Sequence, residues 1–228
     1  MERLKRVYID KPIFVLGLAR SGTSLVAGTL EIWGAWLGRT VPGGGPENPK
    51  GFFENVVLRE HINKRILFNL GCDPLGVQKL PDLYKLPDIP NFSEIIEQII
   101  RAEGYKEDRR WLFKDAKLTL LWPVYKAAFP NAQWIIVRRN EEEIIHSCLR
   151  TFFMVQHSKD PVFWKRWADE YLFRLDKLKE SEVWWREIWP QDLVRGNLSV
   201  LCQIVRDLEL EWNELGVTNF IDPNYWHA

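Results

Sequence analysis

The chain has 228 residues, of which 46% are hydrophobic and 27% are charged, a composition typical of a soluble globular protein. Its 31 Lys and Arg residues balance 31 Asp and Glu residues. The zero net charge argues against a protein that binds nucleic acid or a membrane surface through bulk positive charge. The length suits one sizeable core, so we expect a single domain over residues 1–228.

The cysteines and the N-terminal region narrow the setting in which the protein works. Cys72, Cys148 and Cys202 are odd in number and far apart, which indicates reduced thiols rather than a disulfide framework. No metal-ligand spacing links them to the four histidines, and we expect no metal site. The first apolar run, residues 13–19, is too short to span a bilayer, and no signal-peptide cleavage pattern follows it. We therefore expect a cytoplasmic protein without a membrane span.

The first third of the chain predicts a strand, a tight turn and two helices. Residues 12–17 form a short apolar run that ends in glycine, as a buried parallel strand does. Residues 21–36 have the apolar spacing of a helix. Residues 40–55 hold three consecutive glycines and three prolines, which predicts a loop. Residues 56–70 again have a helical pattern, which ends at Gly71.

The middle of the chain continues this alternation. Residues 72–92 hold four prolines and predict a loop, and Ser93 is a candidate N-cap for a helix that runs to about residue 103. Residues 111–113 predict a second strand, and residues 133–137 a third, the clearest of all. Between these two strands the apolar residues at helical spacing are Leu118, Leu121, Trp122, Tyr125 and Phe129.

The remainder of the chain predicts mostly helix. Asn140, after the third strand, can cap a helix that begins with three glutamates. From residue 160 onward, one helix face carries Trp164, Trp167, Tyr171, Leu175 and Leu178. A further helix is expected over residues 196–208 and a loop over residues 216–228. Strands that alternate with helices predict the α/β class: a central parallel sheet flanked by helices, with a helix-rich C-terminal half.

The turn after the first strand has the chemistry of an anion site. Gly17 and Gly22 have the spacing of the phosphate-binding loop G-x-x-x-x-G-K-[ST], but Thr23 stands in place of the lysine. Backbone N–H groups of such a turn and the start of the helix converge on a phosphate, and the hydroxyls of Thr23 and Ser24 can add donors. Arg20, the cation of this loop, can donate two hydrogen bonds to a phosphate or sulfate.

A second positive site is expected beside the first. The third strand ends in Arg138 and Arg139 rather than in the acidic residue that helps hold Mg²⁺ in nucleoside triphosphatases. Because parallel strands end at one edge of the sheet, the two sites should be neighbours. This pattern favours a nucleotide with phosphates at two positions. Alternatively, one of the two arginines pairs with the glutamates at residues 141–143.

Two motifs carry a resemblance to a known family. The stretch LARSGTS at residues 18–24 is similar to [PL]-x-[KR]-S-G-T-[ST], and Arg139 and Ser147 match an arginine at a strand end followed eight residues later by a serine. Both patterns resemble those of the sulfotransferase superfamily, which uses 3′-phosphoadenosine-5′-phosphosulfate. ENPKGFFE at residues 47–54 resembles a stretch of bacterial and phage-like members. FKDAKLTLLWPVYKAAFP, from residue 113, resembles K-D-P-R-x-x-x-x-x-P, with alanine and lysine in place of proline and arginine. The resemblance covers most of residues 12–215 and implies the P-loop-like sulfotransferase fold.

The resemblance also implies roles for individual residues. The 5′-phosphosulfate would be held by Arg20, Ser21, Gly22, Thr23 and Ser24, and Arg20 would stabilise the charge of the transferred sulfuryl group. The 3′-phosphate would be bound by Arg139 and Ser147, and adenosine 3′,5′-bisphosphate would be the product. The R-K-G motif that contacts the cofactor in the cytosolic small-molecule branch has no match, so the adenine contacts stay unassigned.

The acceptor side is less defined. The proton acceptor could be Glu47, Glu54 or His61, and Glu54 is preferred because it follows the glycine-rich loop; its alternative role is a solvated carboxylate at a helix start. Loops at residues 40–60 and 72–92 and the aromatic region 150–190 are expected to form a pocket for a small-molecule, sugar, lipid or peptide acceptor. Two other functions remain open: a nucleotide kinase with a degenerate P-loop, and a non-catalytic nucleotide-binding relative.

Overall fold

The computed structural model describes residues 8–43 and 48–225. In this part of the chain a four-stranded, wholly parallel sheet lies at the centre, in the order β2-β1-β3-β4. Its strands are β1 (Ile13–Gly17), β2 (Leu112–Lys114), β3 (Gln133–Val137) and β4 (Trp184–Ile188). Ile13 lies opposite Leu112 on one side and Gln133 on the other, so the strand ends that follow residues 17, 114 and 137 share one edge.

Helices flank the sheet on both faces. The α-helices of the described residues are α1 (Thr23–Ile32), α2 (Lys64–Asn69), α3 (Phe92–Ala102), α4 (Leu118–Ala128), α5 (Glu141–Arg150), α6 (Phe152–Val155), α7 (Pro161–Lys179), α8 (Pro190–Val194), α9 (Ser199–Asp207) and α10 (Glu214–Phe220). A π-helical segment, Leu58–Asn63, leads into α2, and short 3₁₀ turns lie at Leu83–Lys85 and Pro223–Tyr225. None of the described helices is long and apolar enough to cross a membrane.

The central strands explain their own sequence. Every residue of β1 and β3 is buried, because each strand has a neighbour on both sides and helices over both faces. Phe14 and Leu16 face the core layer under α3, α4 and α7, whereas Ile13 and Val15 face the layer under α1 and α9. A strand covered on both faces needs an unbroken apolar run, which is the pattern that predicted these two strands.

The largest error of the sequence prediction is β4. The helical face through Trp164 and Tyr171 is confirmed in α7, but the chain then forms a strand at Trp184–Ile188, where helix was expected. This strand lies at the edge of the sheet and is only partly buried, so it lacks an apolar run. Its tryptophans pack beneath cations instead: the Arg186 guanidinium lies 4.8 Å from the Trp184 ring centre.

Smaller differences concern helix ends. The Asn140 cap is confirmed, because its side-chain oxygen accepts hydrogen bonds from the backbone of Glu142 (2.9 Å) and Glu143 (3.3 Å). The Ser93 cap is wrong: α3 begins at Phe92, after Asn91 in a left-handed conformation (φ 56°). The expected C-terminal loop is also partly wrong, because α10 forms there and is capped by the side chain of Asn213.

Candidate active site

The loop between β1 and α1 is fastened to the middle of the sheet. Gly17 is needed where β1 ends, because a Cβ atom there would lie 2.6 Å from the carbonyl oxygen of Val137 on β3. The Gly17 N–H donates to the Thr119 hydroxyl (3.1 Å) on α4. Gly22 then turns the chain into α1 with φ 93°, a conformation that favours glycine. The first turn of a helix leaves N–H groups without intrahelical acceptors, so the start of α1 can offer donors to an anion beside this loop.

Arg20, Ser147 and Arg139 meet beside this loop. The Arg20 Nε donates to the Ser147 hydroxyl (3.0 Å), and the Arg139 guanidinium donates to the Arg20 carbonyl oxygen (3.1 Å). Arg139 also pairs with Glu143 (2.8 Å), as one alternative predicted. The structure therefore joins into one cluster a residue expected at the 5′-phosphosulfate and two expected at the 3′-phosphate.

The thiol of Cys148 borders this cluster and is chemically quiet. Burial raises its pKa to about 12, and the nearby positive charges of Arg20 and Arg139 only partly oppose this. A thiol with such a pKa stays protonated at neutral pH and is a poor nucleophile. The groups of this cluster that could bind an anion are therefore the two guanidiniums and the hydroxyl of Ser147.

The serines of the loop have different tasks. Ser21 is fully buried, and its hydroxyl donates to the Leu18 carbonyl oxygen (2.8 Å), so it stabilises the turn itself. The Ser24 hydroxyl donates to the carbonyl oxygen of Phe52 (3.2 Å) and accepts hydrogen bonds from Asn48 (3.3 Å) and Lys114 (3.2 Å). Ser24 thereby links the loop between β1 and α1, residues 17–24, to the segment at residues 48–54. We call this loop the anion loop.

Lys114 is the centre of the neighbouring charge network. Its ammonium group, at the end of β2, contacts the Glu54 carboxylate (2.7 Å) and the Phe52 carbonyl oxygen (3.1 Å). Arg59 lies 2.9 Å from the other oxygen of Glu54. Glu54 is buried between two cations, so its alternative role as a solvated helix-start carboxylate is wrong.

Of the other predicted bases, only His61 lies among the described residues, and it is not part of this network. His61 is exposed on the π-helical segment and is not among the described residues that line the cavity below; Glu47 lies outside the described residues. His157, which follows α6, does line the cavity. Sequence reasoning missed it as a single residue, although it falls in the aromatic region expected to border the acceptor.

A cavity of about 400 Å³ opens from the anion loop. Its wall includes Arg20, Ser24, Glu54, Lys114 and Arg139, and continues over apolar side chains from α6 and α7. Residues from each of the three regions expected at the acceptor pocket, 40–60, 72–92 and 150–190, line it. The Trp167 and Tyr171 side chains belong to the core, as predicted, but they also face this cavity.

Beneath the cavity a buried ion pair supports β2 and the segment before α4. Asp115 is fully buried; it pairs with Lys117 (2.8 Å) and accepts a hydrogen bond from the Asn63 amide (2.9 Å). Burial by itself would raise the pKa of Asp115, but the Lys117 charge and the hydrogen bonds outweigh it and hold that pKa below its usual range. The carboxylate therefore stays charged at neutral pH. Its contacts with Lys117 and Asn63 stabilise this layer beneath the cavity, which we call the floor of the site.

Comparisons with known proteins place this architecture. No protein-family model and no curated protein matches the sequence. Among solved structures, the sulfotransferase domain from the curacin biosynthetic pathway is similar, with a TM-score of 0.59 at 14% identity over 96% of this chain and 80% of that chain. Sulfotransferase STF9 from Mycobacterium avium is similar with a TM-score of 0.56 at 12% identity, over 96% of this chain and 69% of that chain. The sulfotransferase domain of the Synechococcus PCC 7002 olefin synthase is similar with a TM-score of 0.52 at 17% identity, over 95% of this chain and 80% of that chain. The parallel sheet and its flanking helices thus have the fold of these sulfotransferase structures.

Proposed function

We propose that this protein is a sulfotransferase that moves a sulfuryl group from 3′-phosphoadenosine-5′-phosphosulfate to a hydroxyl or amine acceptor and releases adenosine 3′,5′-bisphosphate. The observation that carries the proposal is the cluster of Arg20, Arg139 and Ser147 beside a helix N-terminus, at the mouth of a cavity. The likeness of fold supports it and does not by itself set the activity.

The residues of the site fit a nucleotide with two separate phosphate groups. The turn at Gly22 and the start of α1 offer backbone donors to one phosphate. Arg139 is buried, and a buried guanidinium binds a phosphate oxygen strongly because little water competes. Its contact with Glu143 holds the guanidinium in place, and a bound phosphate would replace that contact along one edge of the planar group. When bound, the donor supplies a sulfuryl group already activated by its bond to a phosphate.

Arg20 and Lys114 are the cations proposed to stabilise the transferred group. The Arg20 guanidinium belongs to the loop proposed to hold the 5′-phosphosulfate and donates to Ser147, a residue proposed at the 3′-phosphate. The Lys114 ammonium lies 3.2 Å from the Ser24 hydroxyl at the first turn of α1. Positive charges fixed in advance around the reacting centre lower the barrier because they need no reorganisation during the reaction.

Glu54 is the proton acceptor that the cavity supports best. Its carboxylate lies in the cavity wall, and each oxygen has a lone pair beyond its contact with Lys114 or Arg59. An acceptor hydroxyl that donates to this carboxylate can lose its proton as it attacks sulfur. Of the sequence-based candidates, His61 lacks this position because it is exposed away from the described cavity wall.

Calorimetric titration tests the proposal, with a chelator present for the bisphosphate and with excess Mg²⁺ and no chelator for ATP. Adenosine 3′,5′-bisphosphate should bind without Mg²⁺, because Arg20 and Arg139 rather than a metal ion supply the positive charge. ATP with Mg²⁺ should bind more weakly, since Thr23 stands where a nucleotide kinase has the lysine that contacts the β- and γ-phosphates. Preferential binding of ATP with Mg²⁺ would overturn the assignment and favour the kinase.

A further inference from the structure

We infer that the acceptor carries an apolar, ring-sized body next to its reactive hydroxyl or amine, and that it is not a sugar; this rests on the proposed function. Beyond the anion loop and the Lys114 network, the cavity continues along an apolar wall. We define this wall by its lining residues Leu75, Val77, Phe153, Met154, Trp167 and Tyr171. A hydroxyl that reaches Glu54 from this part of the cavity belongs to a molecule whose remainder lies against the apolar wall.

The polar atoms of the two large rings in this wall are already used. The Trp167 Nε1 donates to the Gly76 carbonyl oxygen (2.9 Å), and the Tyr171 hydroxyl donates to the same oxygen (2.8 Å). Burial raises the pKa of Tyr171 well above its usual value, so the hydroxyl keeps the proton that it donates. The rings therefore offer little hydrogen-bonding capacity to a ligand.

The charged groups of the cavity wall are paired with one another. Asp115 pairs with Lys117, and Glu54 pairs with Lys114 and Arg59, which leaves Glu54 capacity for the one hydroxyl that reacts but not for several. A sugar would bring several hydroxyls against this lining, and each buried hydroxyl without a partner carries a desolvation penalty. An aromatic or alkyl body avoids that penalty and gains from leaving water.

The loop that carries part of the wall has a fixed shape. The Asp73 carboxylate accepts hydrogen bonds from the backbone of Leu75, Val77 and Gln78, each at 2.8–2.9 Å. Gly76 adopts φ +73°, and a Cβ atom there would lie 2.7 Å from the Tyr171 hydroxyl. Since the loop is held by these bonds before any ligand arrives, the wall is a preformed surface.

One aromatic pair marks the rim of the apolar wall. Phe153 is 40% exposed, and its ring centre lies 6.4 Å from that of Phe52 on the segment that also carries Glu54. His157 adds an imidazole to this part of the cavity, near the Asp73 carboxylate. A ring-sized ligand between these side chains would cover Phe153 and place one polar group near the charge network.

The test compares two probes on protein saturated with adenosine 3′,5′-bisphosphate. Calorimetry with 2-naphthol and with glucosamine should show 2-naphthol binding at least about tenfold more tightly, the order expected for burying a ring. The Phe153→Ser variant should weaken 2-naphthol binding about tenfold for the same reason. Phe152→Ser is the matched control, since its neighbouring ring is 70% exposed and not among the described lining residues; it should leave binding unchanged.

The outcomes separate the acceptor class from the reaction. Equal or tighter binding of glucosamine, or a Phe153→Ser variant that binds 2-naphthol like the unchanged protein, overturns the apolar-acceptor inference. Sulfuryl transfer to a sugar would overturn it too, while supporting the proposed function. Binding of 2-naphthol that depends on Phe153, together with failure to bind the bisphosphate, sustains the ligand class and removes the proposed function. Transfer of labelled sulfate to 2-naphthol supports both.

Discussion

The anion loop and the apolar wall lie in one cavity but are built in opposite ways. The loop is one short stretch, residues 17–24. Arg139, just after the neighbouring strand β3, and Ser147 on α5 contact it. The apolar wall comes from the Asp73 turn, from α6 and from α7. The proposed phosphate site relies on backbone geometry that a short motif specifies, whereas the proposed acceptor surface exists only after distant segments pack together.

The largest expected effect concerns the floor that both regions share. Asp115→Asn leaves Lys117 buried beside a neutral partner, and we expect a loss of about 3 kcal/mol in the free energy of unfolding, as for other broken buried pairs. Urea unfolding at pH 7 measures it. Asp108→Asn is the control, because its side chain is exposed and pairs at the surface with Arg109; it should change stability by less than about 0.5 kcal/mol.

The same pair predicts a pH dependence with a definite sign. The folded pKa of Asp115 lies below its pKa in the unfolded chain, so its stabilisation is present above the unfolded pKa and is lost as the pH falls through the folded pKa. The stability difference between the unchanged protein and Asp115→Asn should therefore narrow under acid conditions. A difference that stays constant or widens as the pH is lowered would contradict the assigned pair.

A glycine substitution separates the two regions. Gly76→Ala should lower the free energy of unfolding by about 2 kcal/mol, because it adds a left-handed alanine and a clash with the Tyr171 hydroxyl. It should reduce 2-naphthol binding and leave bisphosphate binding intact. Gly104→Ala is matched in φ (+95°) but has open space around the Cβ position, so it should cost only about 1 kcal/mol. Equal costs for the two variants would show that the clash is unimportant.

The next prediction affects the anion side alone. Arg139→Ala should weaken adenosine 3′,5′-bisphosphate binding by at least about 1.5 kcal/mol, the value of a charge-assisted hydrogen bond. Arg138→Ala is the neighbouring control; its guanidinium pairs with Asp176 (3.2 Å) and Glu187 (3.6 Å). Calorimetry should show unchanged affinity for the control and unchanged 2-naphthol binding for both. An Arg139→Ala variant with full affinity removes the residue from the phosphate site.

The smallest effect is a difference in thiol reactivity between the regions. Burial raises the pKa of Cys148, beside Ser147, to about 12, so iodoacetamide at pH 8 should leave it unmodified in the folded protein. Cys72, just before the Asp73 turn, is partly exposed and should react. Mass spectrometry of labelled peptides measures this. Rapid labelling of Cys148 would mean that α5, the helix that carries Ser147 and Cys148, opens readily.

The contrast between the regions also explains what could be predicted from sequence. Unbroken apolar runs predicted β1 and β3, while β4, a mixed and partly exposed edge strand, has no such signal. Local motifs indicated Arg20, Arg139 and Ser147, which the fold brings into one cluster. The Lys114 contacts with Ser24 and Glu54 join residues 90 and 60 positions apart, and no local pattern encodes them. His157 was missed for the same reason, since its place in the cavity depends on how α6 packs.

The proposed binding site for two separate phosphates is tested most directly by comparing two nucleotides that differ only in the 3′-phosphate. Adenosine 3′,5′-bisphosphate and adenosine 5′-monophosphate are titrated calorimetrically into the unchanged protein and into Arg139→Ala. The unchanged protein should bind the bisphosphate at least about tenfold more tightly, and the Arg139→Ala variant should lose most of that preference. Equal affinity of the unchanged protein for both nucleotides would contradict the two-phosphate site.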